Sequence, residues 1–440
     1  MGFATFSTGG RLNAIEVRRD LHGFPEVAFL EYRTASRIAA YLETVGFAVK
    51  AGPEAMDRAA VVAPPSPEAI AEAQAAAVAA GGDPRWIARM PDGLTAVVAE
   101  MRRGDGPVLA FRFDMDALPV SETDLPGHRP NHGGFRSRRD GFMHACGHDG
   151  HVAIGLDVAT RLAADAGWSG TLRLIFQPAE EGGRGAEPIV AAGILDDVDY
   201  FFVGHLGCLL PSGKIAAEAT DFAHATRYDV IFRGRSAHAA MGPQDGANAL
   251  LAAATATLSL HAIARHGAAA TFVNVGSIKG GSARNLVADR CEISMEVRGM
   301  SPEAHDHMQR RADEILAAAA AMQGVDLEIV PMGEMIGNRN SPEAASIVAA
   351  AAREVAGIVE VVDGWPIGGG DDATFMIRRV QERGGIAGYF LIGSDIPAVH
   401  HAADFDIDER SLEHGTELFT TIARKLLSKD AGSQQVASHP

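Results

Sequence analysis

Between residues 95 and 206 short apolar segments alternate with helix-like ones, and three of the apolar segments run into groups that bind metals or move protons. Residues 95–99, 108–113, 171–176 and 200–203 read as strands, and 150–164 as a helix. This βαβ rhythm predicts an α/β fold with a mainly parallel sheet and helices on both faces. In such sheets ligands bind beyond the carboxyl ends of the strands. Asp114 and Asp116 follow one strand, Glu180 and Glu181 a second and His205 a third, so all five are expected on one edge.

At 440 residues the chain is too long for one ordinary domain and comfortable for two. The texture changes near residue 224. Strands at 226–232, 271–278, 291–297 and 326–330 and helices at 248–264 and from Ser301-Pro302 to 322 give the order β-α-β-β-α-β, that of a ferredoxin-like unit. Cys291, Ile293, Met295 and Val297 alternate with Glu292, Ser294, Glu296 and Arg298, as in a strand with one buried face. The expected organisation is a discontinuous first domain, 1–221 and 334–440, interrupted by an inserted α+β domain at 222–333. The first domain begins with a helix pair at 11–48. It resumes with a helix at 344–355, a glycine loop at 368–370, a strand at 386–392 and a helix from 411. The Ala- and Pro-rich stretch 53–92, with a helix at 66–80, reads as a surface insertion, and the tail after 428 as frayed.

Bulk properties exclude several function classes. The formal net charge is −17 and no Lys/Arg-rich block interrupts it, against a nucleic-acid footprint or an anionic membrane partner. Three cysteines, an odd and sparse count, point to a reducing compartment. A basic segment followed by an apolar one is missing near residue 1, and no apolar run approaches about 18 residues. Cytoplasmic localisation, without a membrane span, is expected.

The chemistry concentrates in Met-His-Ala-Cys-Gly-His-Asp-Gly-His at 143–151 and Gln-Pro-Ala-Glu-Glu-Gly at 177–182. Cys146 and His148, two apart in a glycine-containing loop, can point at one divalent ion. A lone cysteine with nearby histidines can also be a thiol nucleophile, but that role leaves Glu180, Glu181 and His205 idle. His144 and His151 suit packing at a helix entry, or hydrogen bonding behind the ligands, better than ligation. Adjacent glutamates point in different directions, so one of Glu180 and Glu181 can bind metal while the other works on water as a general base. The alternative is a solvated acidic loop. In Asp114-Met115-Asp116, after a strand end, an aspartate can orient a ligand histidine. The residues alone leave His400-His401 as surface or ligand, and His238 as substrate contact or turn residue.

With these motifs the chain resembles the M20 metallopeptidase/amidohydrolase group, in its aminoacylase-like branch. The resemblance also rests on Phe-Asp-Met-Asp-Ala-Leu at 113–118, Ala-His-Ala at 237–239, Asn285 with Arg298 thirteen residues on, and the run from His401 to Glu409. The insertion before residue 95, Asp-Asp-Val-Asp-Tyr-Phe at 196–201 and the 248–254 and 260–264 segments are similar to those of p-aminobenzoyl-glutamate hydrolases. The resemblance implies two divalent ions, manganese or zinc, held by Cys146, His148, Glu181, His205 and His401. It implies Glu180 as general acid/base, Asp116 beside it among the catalytic residues, and His238 as an oxyanion contact. Asn285 and Arg298 would bind the substrate carboxylate, from a lid that closes about hinges near 221–224 and 332–337. The implied reaction is hydrolysis of N-acyl or N-aroyl amino acids, p-aminobenzoyl-glutamate-like ones first and indole-3-acetyl conjugates next. A homodimer, or a hetero-oligomer with a related chain, is implied, and a weakly active binding component of such an assembly is the remaining alternative. The chain departs from the pattern at 368–373, where Gly-Gly-Gly-Asp-Asp-Ala stands in place of a Ser-Glu-Asp-type turn and Gly370 lacks a hydroxyl, and at 402–404, which is Ala-Ala-Asp.

Overall fold

The computed structural model describes residues 7–8 and 11–428, so the tail after Ser428 lies outside the described residues. The chain divides into two compact units, Met1–Thr220 with Asn338–Pro440, and Asp221–Gly337. In chain order the main strands are β1 (Ala48–Ala51), β2 (Val97–Arg103), β3 (Val108–Asp114), β4 (Gly170–Gln177), β5 (Tyr200–Leu206), β6 (Lys214–Thr220), β7 (His224–Arg233), β8 (Thr271–Gly280), β9 (Arg290–Gly299), β10 (Asp326–Met335), β11 (Glu360–Pro366) and β12 (Ile386–Ile392).

In the first unit eight strands form one sheet in the order β11-β6-β12-β5-β3-β4-β2-β1. The four central strands, β12, β5, β3 and β4, run parallel. Their apolar, β-branched and aromatic runs suit burial on both faces. The flanks are antiparallel: β2 against β4, β1 against β2 and β6 against β12, with β11 parallel to β6. Three flanking strands, β1, β6 and β11, escape the sequence reading. The Lys-Ile-Ala-Ala-Glu-Ala-Thr of β6 carries three alanines, a Lys and a Glu, which disfavour strands, and β11 carries Pro366 at an edge. The remaining strands fall where the periodicity puts them, to within a few residues.

Helix His148–Ala164 follows Gly147, whose φ of +91° favours glycine, and is buried almost all round. It packs against helices Ala14–His22 and Arg410–Leu426 and against β3. Gly155 permits the close approach to the sheet: a Cβ there would lie 2.6 Å from the Phe113 ring. Phe113 in turn packs with Phe176 and Phe419 at 5.5 and 5.1 Å between ring centroids. Stretch 53–92 is more than a surface insertion. Its helix Pro67–Ala79 is capped by Ser66, but Trp86, Ile87 and Met90 are buried in the main core, and the Asp57 N–H bonds the Pro188 carbonyl.

The second unit is a four-stranded antiparallel sheet, β8-β9-β7-β10, in the order β-α-β-β-α-β. Cys291, Ile293, Met295 and Val297 of β9 form its core with helices Ala249–His261 and Pro302–Gln323. Among the described residues no helix is long and apolar enough to cross a membrane.

Candidate metal centre

The site gathers at the carboxyl edge of the four parallel strands, where β3 ends at Asp114, β4 at Gln177 and β5 at Leu206. The loop after β4 turns at Ala179, whose φ is +55°. Buried Glu31 holds this loop, accepting from the Ala179 N–H at 3.0 Å and from the Thr95 hydroxyl at 2.7 Å. Asp116 fixes the next two residues. One of its carboxylate oxygens accepts from the Glu180 N–H and the other from the Glu181 N–H, each at 3.1 Å. The Asp116 carbonyl accepts from His148 Nδ1 at 2.9 Å. Both Asp116 oxygens thus hold backbone N–H groups, and one also lies 3.4 Å from His148 Nδ1, an arrangement that suits a positioning role.

With Nδ1 so bound, His148 turns Nε2 inward. That atom is buried, has no hydrogen-bond partner among the described residues, and faces Asp114 at 3.6 Å, Glu181 at 3.8 Å and Glu180 at 3.9 Å. Donor atoms of Cys146, His148 and Glu181 lie within 4.8 Å of one another. Cys146 Sγ is 3.6 Å from His205 Nε2, and His401 Nε2 is 3.3 Å from Glu181. The backbone of His401, at φ +69°, is tied to the Cys146 loop through the Ala145 carbonyl at 2.8 Å. Of the histidine pair, His401 thus faces the centre, while His400 Nε2 donates to the Leu206 carbonyl on the far side of His205. All five expected ligands meet in one place.

This donor set fits divalent cations. Uncompensated carboxylates are costly to bury; Asp114, Asp116, Glu180, Asp371 and Asp372 are all buried, and Arg112 pairs with only Asp114, Asp371 and Asp372 among them. Burial opposes a charge on His148, yet Asp114 and Asp116 override it and push its proton affinity up to about 10. Burial first, and then neighbouring His151, hold His205 well below the usual histidine range, as a neutral ligand requires. Against burial, the His401 hydrogen bond and His148 keep Glu181 below the usual carboxylate range. Glu180 is displaced the other way. Burial raises it well above that range, helped by Asp371, Glu181 and Asp372. Two adjacent glutamates are thereby distinguished: Glu181 is held as an anion, and Glu180 has the higher affinity for a proton. The thiol of Cys146 is raised by burial, Glu181 and Glu180. A cysteine nucleophile needs electropositive surroundings; this one lies among carboxylates, so only a cation would make it a thiolate.

His151 does not ligate: its Nδ1 bonds Asp114, and its Nε2 accepts from the Leu206 N–H at 3.0 Å. His144 is buried behind the site, its proton affinity lowered by burial to about 3.

Two buried networks carry residues that the sequence reading did not select. Arg112, an arginine in an otherwise apolar strand, donates to Gln177 at 2.8 Å and to both oxygens of Asp371 at 3.1 Å. Gln177 donates to Asp372, which also accepts the Gly185 and Ala186 N–H groups at 2.9 Å. For Arg112 the sequence signal was a charge inside an apolar run. On the opposite side Arg18 joins Asp149, Asp406 and Glu409, and His22 bridges Asp149 at 2.8 Å and Glu122 at 3.1 Å.

In the second unit exposed His238 accepts from the Ala240 and Met241 N–H groups through Nδ1, at 3.2 and 3.1 Å. Its proton is therefore on Nε2, free to donate. The Ala239 N–H bonds the Asn285 carbonyl at 2.9 Å, so His238 and Asn285 are neighbours. Arg298 is elsewhere. It pairs with Ala225 at one end of β9, whereas Arg290, the residue nearer the Asn285 loop, pairs with Arg233 at the other end. Eight residues of strand are roughly 26 Å. Arg298 is also held by both oxygens of Glu296, at 2.9 and 3.0 Å. The expected pairing of Asn285 and Arg298 on one substrate carboxylate is not made within one copy.

Residues 110–425 match the model of peptidase family M20/M25/M40. The chain is 41% identical over 414 residues to a p-aminobenzoyl-glutamate hydrolase chain of Escherichia coli (strain K12), covering 93% of this chain and 94% of that protein. It is 40% identical over 409 residues to indole-3-acetyl-aspartic acid hydrolase of Enterobacter agglomerans, covering 92% and 94%. The crystal structure of an aminobenzoyl-glutamate utilization protein from Klebsiella pneumoniae superposes with a TM-score of 0.79 at 36% identity, covering 94% of this chain and 95% of that one. With the cation-fitting centre at the sheet edge, these matches show that the chain belongs to peptidase family M20/M25/M40 and is a hydrolase of amide bonds.

Proposed function

We propose that this chain hydrolyses N-acyl and N-aroyl derivatives of acidic amino acids at a centre of two divalent ions. The observation behind the chemistry is the placing of Glu180 and Glu181 side by side against His148, both fixed by Asp116, with Glu180 the group of higher proton affinity and Glu181 the anion. The substrate class rests on the relatives, whose names join an aromatic acyl group to glutamate or aspartate. Cys146, His148, Glu181, His205 and His401 would hold the ions; the thiol favours zinc, and the carboxylates admit manganese. When bound, the ions supply Lewis acidity to an amide carbonyl and to water. Glu180 takes a proton from the attacking water at its carboxylate and delivers it to the departing amine nitrogen. Asp116 keeps Glu180 and Glu181 in register by holding their N–H groups. His238 Nε2–H would donate to the developing oxyanion. Arg298 would bind the amino-acid carboxylate, as a planar cation does best, after exchanging Glu296 for substrate. Because Asn285 and His238 lie at the far end of the sheet from Arg298, a site using all three would draw on two copies. A dimer is therefore part of this reading.

The test is amino-acid release from p-aminobenzoyl-, benzoyl-, indoleacetyl- and acetyl-conjugates of glutamate, aspartate and alanine. The purified chain is assayed after chelation and after return of manganese or zinc. Metal-dependent release with acidic conjugates preferred is expected. Preference for the alanine conjugates would overturn the substrate class, and release insensitive to chelation would overturn the metal mechanism.

A further inference from the structure

We propose that Cys208, His400 and the outer nitrogen of His205 form a second metal site, for a soft divalent ion such as zinc or cadmium, back to back with the Cys146 centre. Donor atoms of these three residues lie within 4.8 Å of one another. One imidazole stands between two thiols, with Cys146 Sγ 3.6 Å from His205 Nε2 and Cys208 Sγ 3.7 Å from His205 Nδ1. Zn–S bonds of about 2.3 Å and Zn–N bonds of about 2.0–2.1 Å at a tetrahedral angle put sulfur and nitrogen roughly 3.6 Å apart. Both faces of the ring therefore have the spacing of a shared ion.

The loop that presents the outer thiol is held in an unusual conformation. Gly207, Cys208 and Leu209 have φ of +85°, +50° and +59°. Two consecutive side-chain-bearing residues in the left-handed region persist only where their surroundings hold them. Here the Trp365 indole N–H bonds the Cys208 carbonyl at 2.9 Å. Glycine at 207 lets His400 come close, since a Cβ there would lie 3.1 Å from His400 Nε2. Nitrogens of His205 and His400 converge on one acceptor, the Leu206 carbonyl, at 2.8 and 3.2 Å. An ion in this niche takes the two ring nitrogens from that carbonyl and the Cys208 sulfur as thiolate; the thiol proton goes to solvent, and each ring proton moves to the opposite ring nitrogen, or from His205 to solvent when its Nε2 is also bound. Occupancy engages His205 from behind and so inhibits. That consequence rests on the proposed hydrolase reading; the binding does not.

Cadmium–thiolate charge-transfer absorption, read on the metal-stripped full chain without substrate, counts the sulfurs that bind. The third cysteine, Cys291, is fully buried in the core of the second unit. Two increments are expected for the wild type, one for Cys208→Ser and one for Cys146→Ser, while His400→Gln weakens the increment that belongs to Cys208. A wild-type signal that Cys146→Ser abolishes, or a signal undiminished in Cys208→Ser, overturns the site. Should Cys208→Ser fail to fold, His400→Gln decides: a second increment with unchanged affinity overturns it. A chain inactive on every amide would still give this count, so failure of the hydrolase reading is distinguishable from failure of this one.

Discussion

Asp116 spends both carboxylate oxygens on the N–H groups of Glu180 and Glu181, so the base and the ligand are aligned by one side chain. Asp116→Asn leaves only one acceptor for the two donors. Turnover is expected to fall roughly 10–100-fold, as for other residues that orient ligands, with metal content largely kept. Unchanged turnover would show that the backbone holds itself. Glu180→Gln removes the proton acceptor and no proposed ligand. It should bind metal as the wild type does and lose about 10²–10⁴-fold in turnover, measured as amino-acid release beside metal content. Retention of most of the activity would remove Glu180 from its role. At this scale the proposed ligands were legible because spacing is visible: Cys146 and His148 share a loop, and Glu180 and Glu181 follow an apolar strand. Arg112, Asp371 and Asp372 were not, because their partners come together only through the sheet, 259 residues apart in the case of Arg112 and Asp371. The proposed choice of His401 over His400 likewise needed the fold, which sets His401 beside Glu181 and His400 against the Leu206 carbonyl.

The elements that carry these residues are locked by close approach and by buried charge. Gly155 lets helix His148–Ala164 lie against Phe113. Gly155→Val would force the two apart and cost about 1–3 kcal/mol by overpacking, read from denaturant midpoints; an unchanged midpoint would contradict the tight contact. His22 ties helix Ala14–His22 to Asp149 and Glu122. Burial opposes its charge, but hydrogen bonds to Asp149 and Glu122 raise its proton affinity from 6.5 to about 9. A raised folded value stabilises below the unfolded one, so this contribution is complete below about pH 6.5 and lost as pH rises through about 9. Wild-type stability should decline across that window, and His22→Gln should flatten the decline. Equal slopes for the two proteins would exclude the link. Elements with strong periodicity, such as β9 and helix Pro302–Gln323, were readable from sequence. Alanine-rich β6 and edge strand β11 were not, because pairing with neighbours, rather than local preference, makes them strands.

At the scale of the molecule, the sheet edge buries more carboxylates than Arg112 neutralises, and bound cations would offset the remainder. Ions that bind only the folded chain stabilise it in proportion to the logarithm of their concentration. Chelation should therefore lower the thermal midpoint, and manganese or zinc should restore it, less fully in Glu181→Gln. A midpoint indifferent to metal would mean that protons on the carboxylates suffice. The most direct measurement of the whole reading is glutamate release from p-aminobenzoyl-glutamate by the metal-stripped chain as manganese or zinc is titrated in. Release that is absent without metal and reaches its maximum at two ions per chain is predicted. Release without metal, or its absence with either ion at any ratio, would contradict a two-ion amide hydrolase.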